Sequence, residues 1–145
     1  METEHVAFNL ERTYLKDVSF ESPFASHAAP LGNSSRFDAD FQSNLTSIGD
    51  NRYEVCLTLT GKGINSETEN VVYIIELAQA GVFLKEGEIE EELLKKIGLT
   101  DCLAILFPYL REAVDSILVK SGFPPLVIGN IDFQSSYLQA LEALK

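Results

Sequence analysis

Apolar and polar side chains alternate along the first half of the chain. The run at 53–60 alternates at every position, and its apolar face consists of Tyr53, Val55, Leu57 and Leu59. A period of two is typical of a β-strand with one buried face. The run at 71–80 is rich in β-branched residues, so it predicts a second strand that returns antiparallel to the first. The residues at 61–70, which begin Gly-Lys-Gly, are expected to form the turn between the two strands.

The same alternation predicts two more strands nearer the N-terminus. One extends from Phe37 to Leu45, and the other covers 5–20 and is expected to bend. A segment rich in Pro, Gly, Ser and Asn at 22–35 links them. The first half therefore predicts four antiparallel strands.

Apolar residues recur at helical spacing in the second half. A short helix is predicted over 88–98, whose last residue is glycine, and a final helix is predicted after Asp132, which is expected to cap it. Thr100 with Asp101 predicts the start of a longer helix that ends near Lys120. The fold class is therefore α+β, with a four-stranded antiparallel sheet packed on helices from the C-terminal half.

The longer helix carries an apolar stripe that one face of a sheet could not bury completely. A second apolar surface, most simply another copy of this chain, is expected to cover the rest. Pro108 either kinks this helix or lies in the first turn of a helix that begins later. We predict that six stripe residues form an oligomer interface as well as a core: Leu103, Leu106, Leu110, Val114, Ile117 and Leu118.

Length and composition indicate one domain over residues 1–145. The hydrophobic fraction of 46% argues against disorder, and no apolar run approaches the ~20 residues that span a bilayer. The N-terminal residues include acids where a signal peptide requires bases, so we expect a cytoplasmic protein. Cys56 and Cys102 have neither redox nor metal spacing, and we expect two reduced, packed thiols.

The charge balance argues against nucleic-acid binding. The chain has 22 acidic residues, 11 basic residues and a net charge of −11, whereas proteins that bind phosphate backbones concentrate Lys and Arg on one face. The acidity fits either solubility alone or a basic partner.

Residues that could perform catalysis are sparse. Neither His5 nor His27 has a partner nearby in sequence for general-base chemistry. Gly-Lys-Gly lacks the spacing of a phosphate-binding loop, the acids at 90–92 are typical of a solvated helix face, and no Cys and His spacing fits a metal. A small-molecule-binding or hydrolytic α+β protein would require a defined ligand and a catalytic group, and the sequence indicates neither. We therefore expect neither an enzyme nor a cofactor.

Five segments, in this order, carry a resemblance to a known family. They are LERTYLKDVSFESP at 10–23, YEVCLTLT at 53–60, IIELAQAGVF at 74–83, ILFPYLREAVDSIL at 105–118 and SGFPPLVIGNIDFQSSY at 121–137. Together they resemble the SecB family of bacterial protein-export chaperones. The resemblance implies a homotetramer, assembled as a dimer of dimers, that holds unfolded secretory precursor proteins without ATP or a cofactor and delivers them to the SecA motor ATPase. It implies no insertion into the membrane.

The resemblance also gives a role to the unusually apolar loop between the last two helices. In SecB-like proteins this loop covers a groove against the sheet that accepts extended apolar segments of clients. Its prolines reduce the entropy lost when the loop is held open, and aromatic faces provide large contacts. The alternative is that the same residues fill a core. The groove residues implied here are Phe37, Ala39, Phe41, Phe123, Pro124, Leu126, Phe133 and Tyr137.

A second implied site would bind SecA. The matching residues are Asp17, Glu21, Ile74 and Glu76, and the strand period places Ile74 and Glu76 on one sheet face. An acidic face suits the basic C-terminal tail of SecA. The alternative is that these acids are ordinary charges on an exposed sheet and bind no partner. SecB proteins often carry a flexible acidic tail, whereas this sequence ends in Leu-Glu-Ala-Leu-Lys. The nearest alternative with the same fold is a SecB-like chaperone of a toxin–antitoxin module.

Overall fold

Four long strands form one antiparallel sheet in the computed structural model, which describes residues 7–144. They are β1 (Ala7–Glu21), β2 (Ser35–Gly49), β3 (Arg52–Asn65) and β4 (Asn70–Glu86). Their spatial order is β1-β4-β3-β2, so β1 and β2 are the two edges. The predicted antiparallel pairing of the third and fourth strands is confirmed, and both strands are longer than the sequence indicated.

The bend expected in the first strand corresponds to two irregularities in its pairing with β4. The register shifts between Leu10 and Arg12 and again between Leu15 and Asp17. An extra residue at such a bulge bends the strand and increases its local twist. His5 lies outside the described residues, and His27 is exposed in the linker between β1 and β2.

The prediction that Gly-Lys-Gly belongs to a turn is wrong, because Gly61 and Gly63 lie within β3. A Cβ atom on Gly61 would lie 2.2 Å from the Phe37 ring, and one on Gly63 would lie 2.2 Å from the Tyr73 ring. Glycine in a strand permits this close approach of neighbouring side chains. The chain instead reverses after Asn65, whose side chain accepts hydrogen bonds from the backbone N–H groups of the turn.

Three helices follow the sheet: α1 (Glu91–Gly98), α2 (Asp101–Lys120) and α3 (Phe133–Ala143). The predicted cap of α3 is confirmed, because Asp132 accepts a hydrogen bond from the Ser135 N–H at 3.1 Å. Thr100 precedes α2 as expected, but its hydroxyl donates to the Lys96 carbonyl instead of capping the helix. Pro108 lies inside α2, so the alternative of a helix that begins later is wrong.

The core lies between α2 and the central strands β3 and β4. Five of the six stripe residues predicted at an oligomer interface, all except Ile117, are at most 3% exposed within the chain itself: Leu103, Leu106, Leu110, Val114 and Leu118. A side chain this deeply buried has no surface to offer another subunit, so these five keep the predicted core role and lose the predicted interface role. The exposed apolar side chains of α2 include Ile105, Tyr109 and Val119. An oligomer contact through this helix stays a prediction and is better assigned to them.

Candidate functional site

The loop at 121–132 is held against the core by four of its apolar side chains. Phe123 is 5% exposed, and its ring centroid lies 4.9 Å from that of Tyr73 on β4. Leu126, Ile128 and Ile131 are half-buried against the same core, whereas Pro124 and Pro125 face solvent. The apolar composition of the loop therefore reflects its packing along α2 and the edge of the sheet.

A first cavity, of about 510 Å³, lies between the sheet and helices α1, α2 and α3. Phe41, Phe133 and Tyr137 of the predicted groove line it. Phe41 and Phe133 both pack edge-on against Phe107 of α2, with ring centroids 6.4 and 5.9 Å away. The rest of the lining is mostly apolar and includes Leu57, Leu99, Leu103, Ile131, Ala140, Leu141 and Leu144.

A second cavity, of about 220 Å³, lies under the start of the loop. Phe37, Pro124 and Leu126 of the predicted groove line it, together with Leu31, Ser35, Arg36, Tyr73 and Pro125. Phe37 and Phe41 are four residues apart on β2, so the two cavities are separated by about 13 Å along that edge strand. Both cavities lie on the helix-bearing side of the sheet, beside β2.

Two of the predicted groove residues do not line these cavities. Ala39 lies between Phe37 and Phe41 on the same sheet face, opposite Gly61, and it is exposed. Phe123 is buried between Phe20 and Tyr73, so it must be corrected from a groove residue to a core residue that anchors the loop.

Sequence reasoning included Tyr137 of α3 in the groove but missed the apolar residues that continue its stripe in the first cavity: Ala140, Leu141 and Leu144. Tyr137, Ala140, Leu141 and Leu144 follow the spacing i, i+3, i+4, i+7, which marks one face of a helix. This signal was present in the sequence and could have been found. The contribution of Leu31 to the second cavity could not have been found from the sequence. Leu31 lies in the linker between the first two strands and reaches that cavity only through tertiary packing.

The four residues predicted to contact SecA lie on the other face of the sheet. In the β1–β4 pair, Glu21 lies opposite Ile74, Ser19 opposite Glu76 and Asp17 opposite Ala78. Directly paired residues share a face, so all four side chains project away from the helices. Ile74 is 36% exposed, and the three acids are exposed. Within the described part of the chain, none of these acids has an ion-pair partner. Lys62 of β3 lies opposite Ile74 on the same face, so three acids and one base are exposed there.

The neighbouring part of that face is internally neutralised. Tyr14 donates a hydrogen bond to Glu54, and Lys16 pairs with the same carboxylate at 2.6 Å. Burial and the adjacent Glu54 raise the pKa of Tyr14 to about 12, and the bonds from Lys16 and Tyr14 lower the pKa of Glu54. Asp17, Glu21 and Glu76 therefore lie beyond this neutralised part, towards the end of the face near Glu21.

The site offers binding surfaces and little reactive chemistry. Among residues 7–144, no cluster of His, Cys, Asp and Glu side chains could hold a metal ion. Burial raises the pKa of the Cys102 thiol to about 12, so it is a poor nucleophile at neutral pH. None of the helices in the described part of the chain is both long enough and apolar enough to cross a membrane.

Comparison with known proteins gives a consistent result. The family model "Preprotein translocase subunit SecB" matches residues 1–143. The protein-export protein SecB of Marinobacter nauticus is 39% identical over 136 residues, which cover 93% of this chain and 80% of that protein. SecB of Halorhodospira halophila is 37% identical over 132 residues, covering 91% and 75%.

The fold is also similar to that of a solved structure. It is a SecB-like chaperone of Mycobacterium tuberculosis in complex with a ChAD peptide from the HigA1 antitoxin. The TM-score is 0.72 at 18% sequence identity, and the match covers 86% of this chain and 90% of that one. With the sheet, the helices and the family match all in agreement, the chain belongs to the SecB family and is a chaperone for protein export.

Proposed function

We propose that this chaperone binds unfolded precursor proteins in the two apolar cavities beside β2. The observation that carries the proposal is their arrangement, since both open on the helix-bearing side of one edge strand. The larger cavity is lined mainly by aromatic and aliphatic side chains, and the smaller one combines such side chains with Ser35 and Arg36. An extended client segment spans about 3.3 Å per residue, so side chains about four residues apart would reach both cavities.

Binding of this kind requires no ATP. Burial of apolar surface contributes about 25 cal/mol per Å² and is nearly non-directional, so many different sequences satisfy it. A folded protein hides its apolar segments in its own core, whereas an unfolded precursor exposes them. Selectivity for a client therefore depends on whether the client is unfolded.

The acidic end of the open sheet face is the proposed contact for the SecA motor. Glu21 lies opposite the exposed Ile74, Glu76 lies two residues further along β4 and Asp17 lies opposite Ala78, whereas Lys62 of β3 lies on the other side of Ile74. A basic segment of the motor would find charge complementarity there and a central apolar contact. Because the cavities lie on the opposite face, client and motor could bind at once.

The assembly is proposed to be a cytoplasmic homotetramer, a dimer of dimers. The exposed Ile105 and Tyr109 on α2 support self-association, because exposed apolar patches mark interaction surfaces.

A toxin–antitoxin chaperone is the less favoured alternative. The solved structure with an antitoxin peptide is only 18% identical, so it supports the fold alone. The relatives at 37–39% identity are export proteins.

The proposal is tested by fluorescence titration of the chain with a labelled, reduced and carboxymethylated protein, which stays unfolded. The same protein in its native, disulfide-bonded form is the control. We expect saturable binding of the unfolded form alone, without ATP. Absence of binding to the unfolded form, or equal binding to the native form, would refute the proposed function.

A further inference from the structure

The loop that covers the second cavity lacks the backbone hydrogen bonds that fix most structured segments. Residues 124–131, all within the described part of the chain, make no hydrogen bond to another backbone group. Pro124 and Pro125 have no N–H to donate. Side chains must therefore hold the loop in place.

Two side chains of α2, one helical turn apart, provide that hold. Asp115 accepts hydrogen bonds from the consecutive N–H groups of Leu126 and Val127, at 2.9 and 3.4 Å. Arg111 donates to the Ile128 carbonyl and to the Asn130 side chain, both at 3.3 Å. The helix thus binds the loop through a carboxylate that accepts and a guanidinium that donates.

The backbone between these two contacts is strained. Val127 has a φ of 51°, in the left-handed region that β-branched residues rarely adopt. Its side chain is 71% exposed, so burial of the side chain does not explain the conformation. A loop released from Asp115 would be expected to leave this conformation, because the strained backbone would no longer be held in place.

Release of the loop would alter both cavities. Pro124, Pro125 and Leu126 form one wall of the smaller cavity. Arg111 also lies over the Phe107 ring, with its guanidinium carbon 5.4 Å from the ring centroid, and Phe107 contacts Phe41 and Phe133 of the larger cavity.

We infer that Asp115, supported by Arg111, is a positioning residue for client binding: it holds the strained loop in the shape that forms the cavity wall. This role rests on the proposed function. A preformed wall reduces the ordering that a client must impose when it binds. Neither side chain needs to touch the client.

The direct test is Asp115→Ala, which removes the acceptor, beside Asp115→Asn, which keeps an acceptor oxygen. The matched control is Glu112→Ala, which removes an exposed acid from the same helix. Two readouts are measured: amide exchange of Leu126 and Val127 by NMR, and the Kd for the unfolded, carboxymethylated probe.

Asp115→Ala should accelerate exchange of both amides and raise Kd on the order of tenfold, which is the loss expected for a charge-assisted hydrogen bond at a partly exposed site. Asp115→Asn should recover most of the affinity, and Glu112→Ala should match the wild type. If Asp115 only stabilised the fold, Asp115→Ala would lower the midpoint of thermal unfolding, and Asp115→Asn would not restore the affinity for the probe in this way.

Faster amide exchange with an unchanged or lower Kd would overturn the positioning role, as would unchanged exchange. If Asp115→Ala does not fold, Arg111→Met gives the same comparison through the loop contact at Ile128. Failure of the wild-type chain to bind the probe would instead refute the proposed function, and this role with it.

Discussion

Individual residues decide how closely aromatic rings approach the sheet. The Phe37 ring lies over Gly61, and the Tyr73 ring lies over Gly63. Tyr73 is 2% exposed, and its ring also contacts Phe20 and Phe123, so it is enclosed on more sides than Phe37 although it reaches the second cavity. Phe37 is only half-buried at the rim of the second cavity, so it is free to shift. The two glycines are therefore not equivalent.

We predict that Gly63→Ala lowers the free energy of unfolding by about 2 kcal/mol, the usual cost of overpacking a core. Gly61→Ala should cost less stability but weaken client binding, because Phe37 is displaced from the cavity wall. Urea unfolding and probe titration would distinguish these effects. Equal behaviour of the two variants would contradict the assignment.

Tyr14 makes stability depend on alkaline pH. Its folded-state pKa, about 12, lies above the usual tyrosine pKa of 10.0, so its contribution is complete below about pH 10 and is lost as pH rises towards 12. The stability advantage of the wild type over Tyr14→Phe should therefore shrink between about pH 10 and pH 12. Urea titrations at each pH measure this difference. A constant advantage would show that the hydrogen bond to Glu54 is not responsible.

At the scale of elements, the sequence predicted most of what depends on local pattern. Alternation and, for β4, a run of β-branched residues identified the four strands, and Asp132 identified the start of α3. Local pattern failed where a distant contact decides the outcome. Gly61 and Gly63 resembled turn residues but accommodate rings from β2 and β4, and Phe123 resembled a groove residue but packs against Tyr73. The division of the groove into two cavities likewise depends on how α3 and the loop pack on the sheet.

The two faces of β4 should serve different partners. Glu76→Lys should weaken binding of the SecA motor on the order of tenfold at low ionic strength, and the wild-type affinity should itself fall as salt rises. Affinity for the unfolded probe should not change. Glu67→Lys, an exposed acid in the turn before β4, makes the same charge change elsewhere. Equal loss of motor and probe binding in Glu76→Lys would indicate misfolding instead of a motor contact.

At the scale of the whole molecule, α2 is expected to contact the core of its own chain on one face and another subunit on the opposite face. Its buried stripe forms the core, whereas Ile105 and Tyr109 are 41% and 45% exposed. A charge introduced at Ile105 should oppose association without entering the core. We predict that Ile105→Asp gives smaller oligomers that remain folded by circular dichroism, as measured by native mass spectrometry. A wild-type chain that is monomeric at micromolar concentration would refute the predicted assembly.

The central claim is that unfolded clients occupy the cavities beside β2. The most direct measurement is the Kd of the unfolded probe for the double variant Phe41→Ser, Tyr137→Ser, compared with the wild type and with Ile48→Ser, which alters an exposed apolar residue of the same strand outside both cavities. Loss of two aromatic contacts should raise Kd at least about tenfold, while Ile48→Ser binds as the wild type does. An unchanged Kd in a double variant that is folded by circular dichroism would contradict the account.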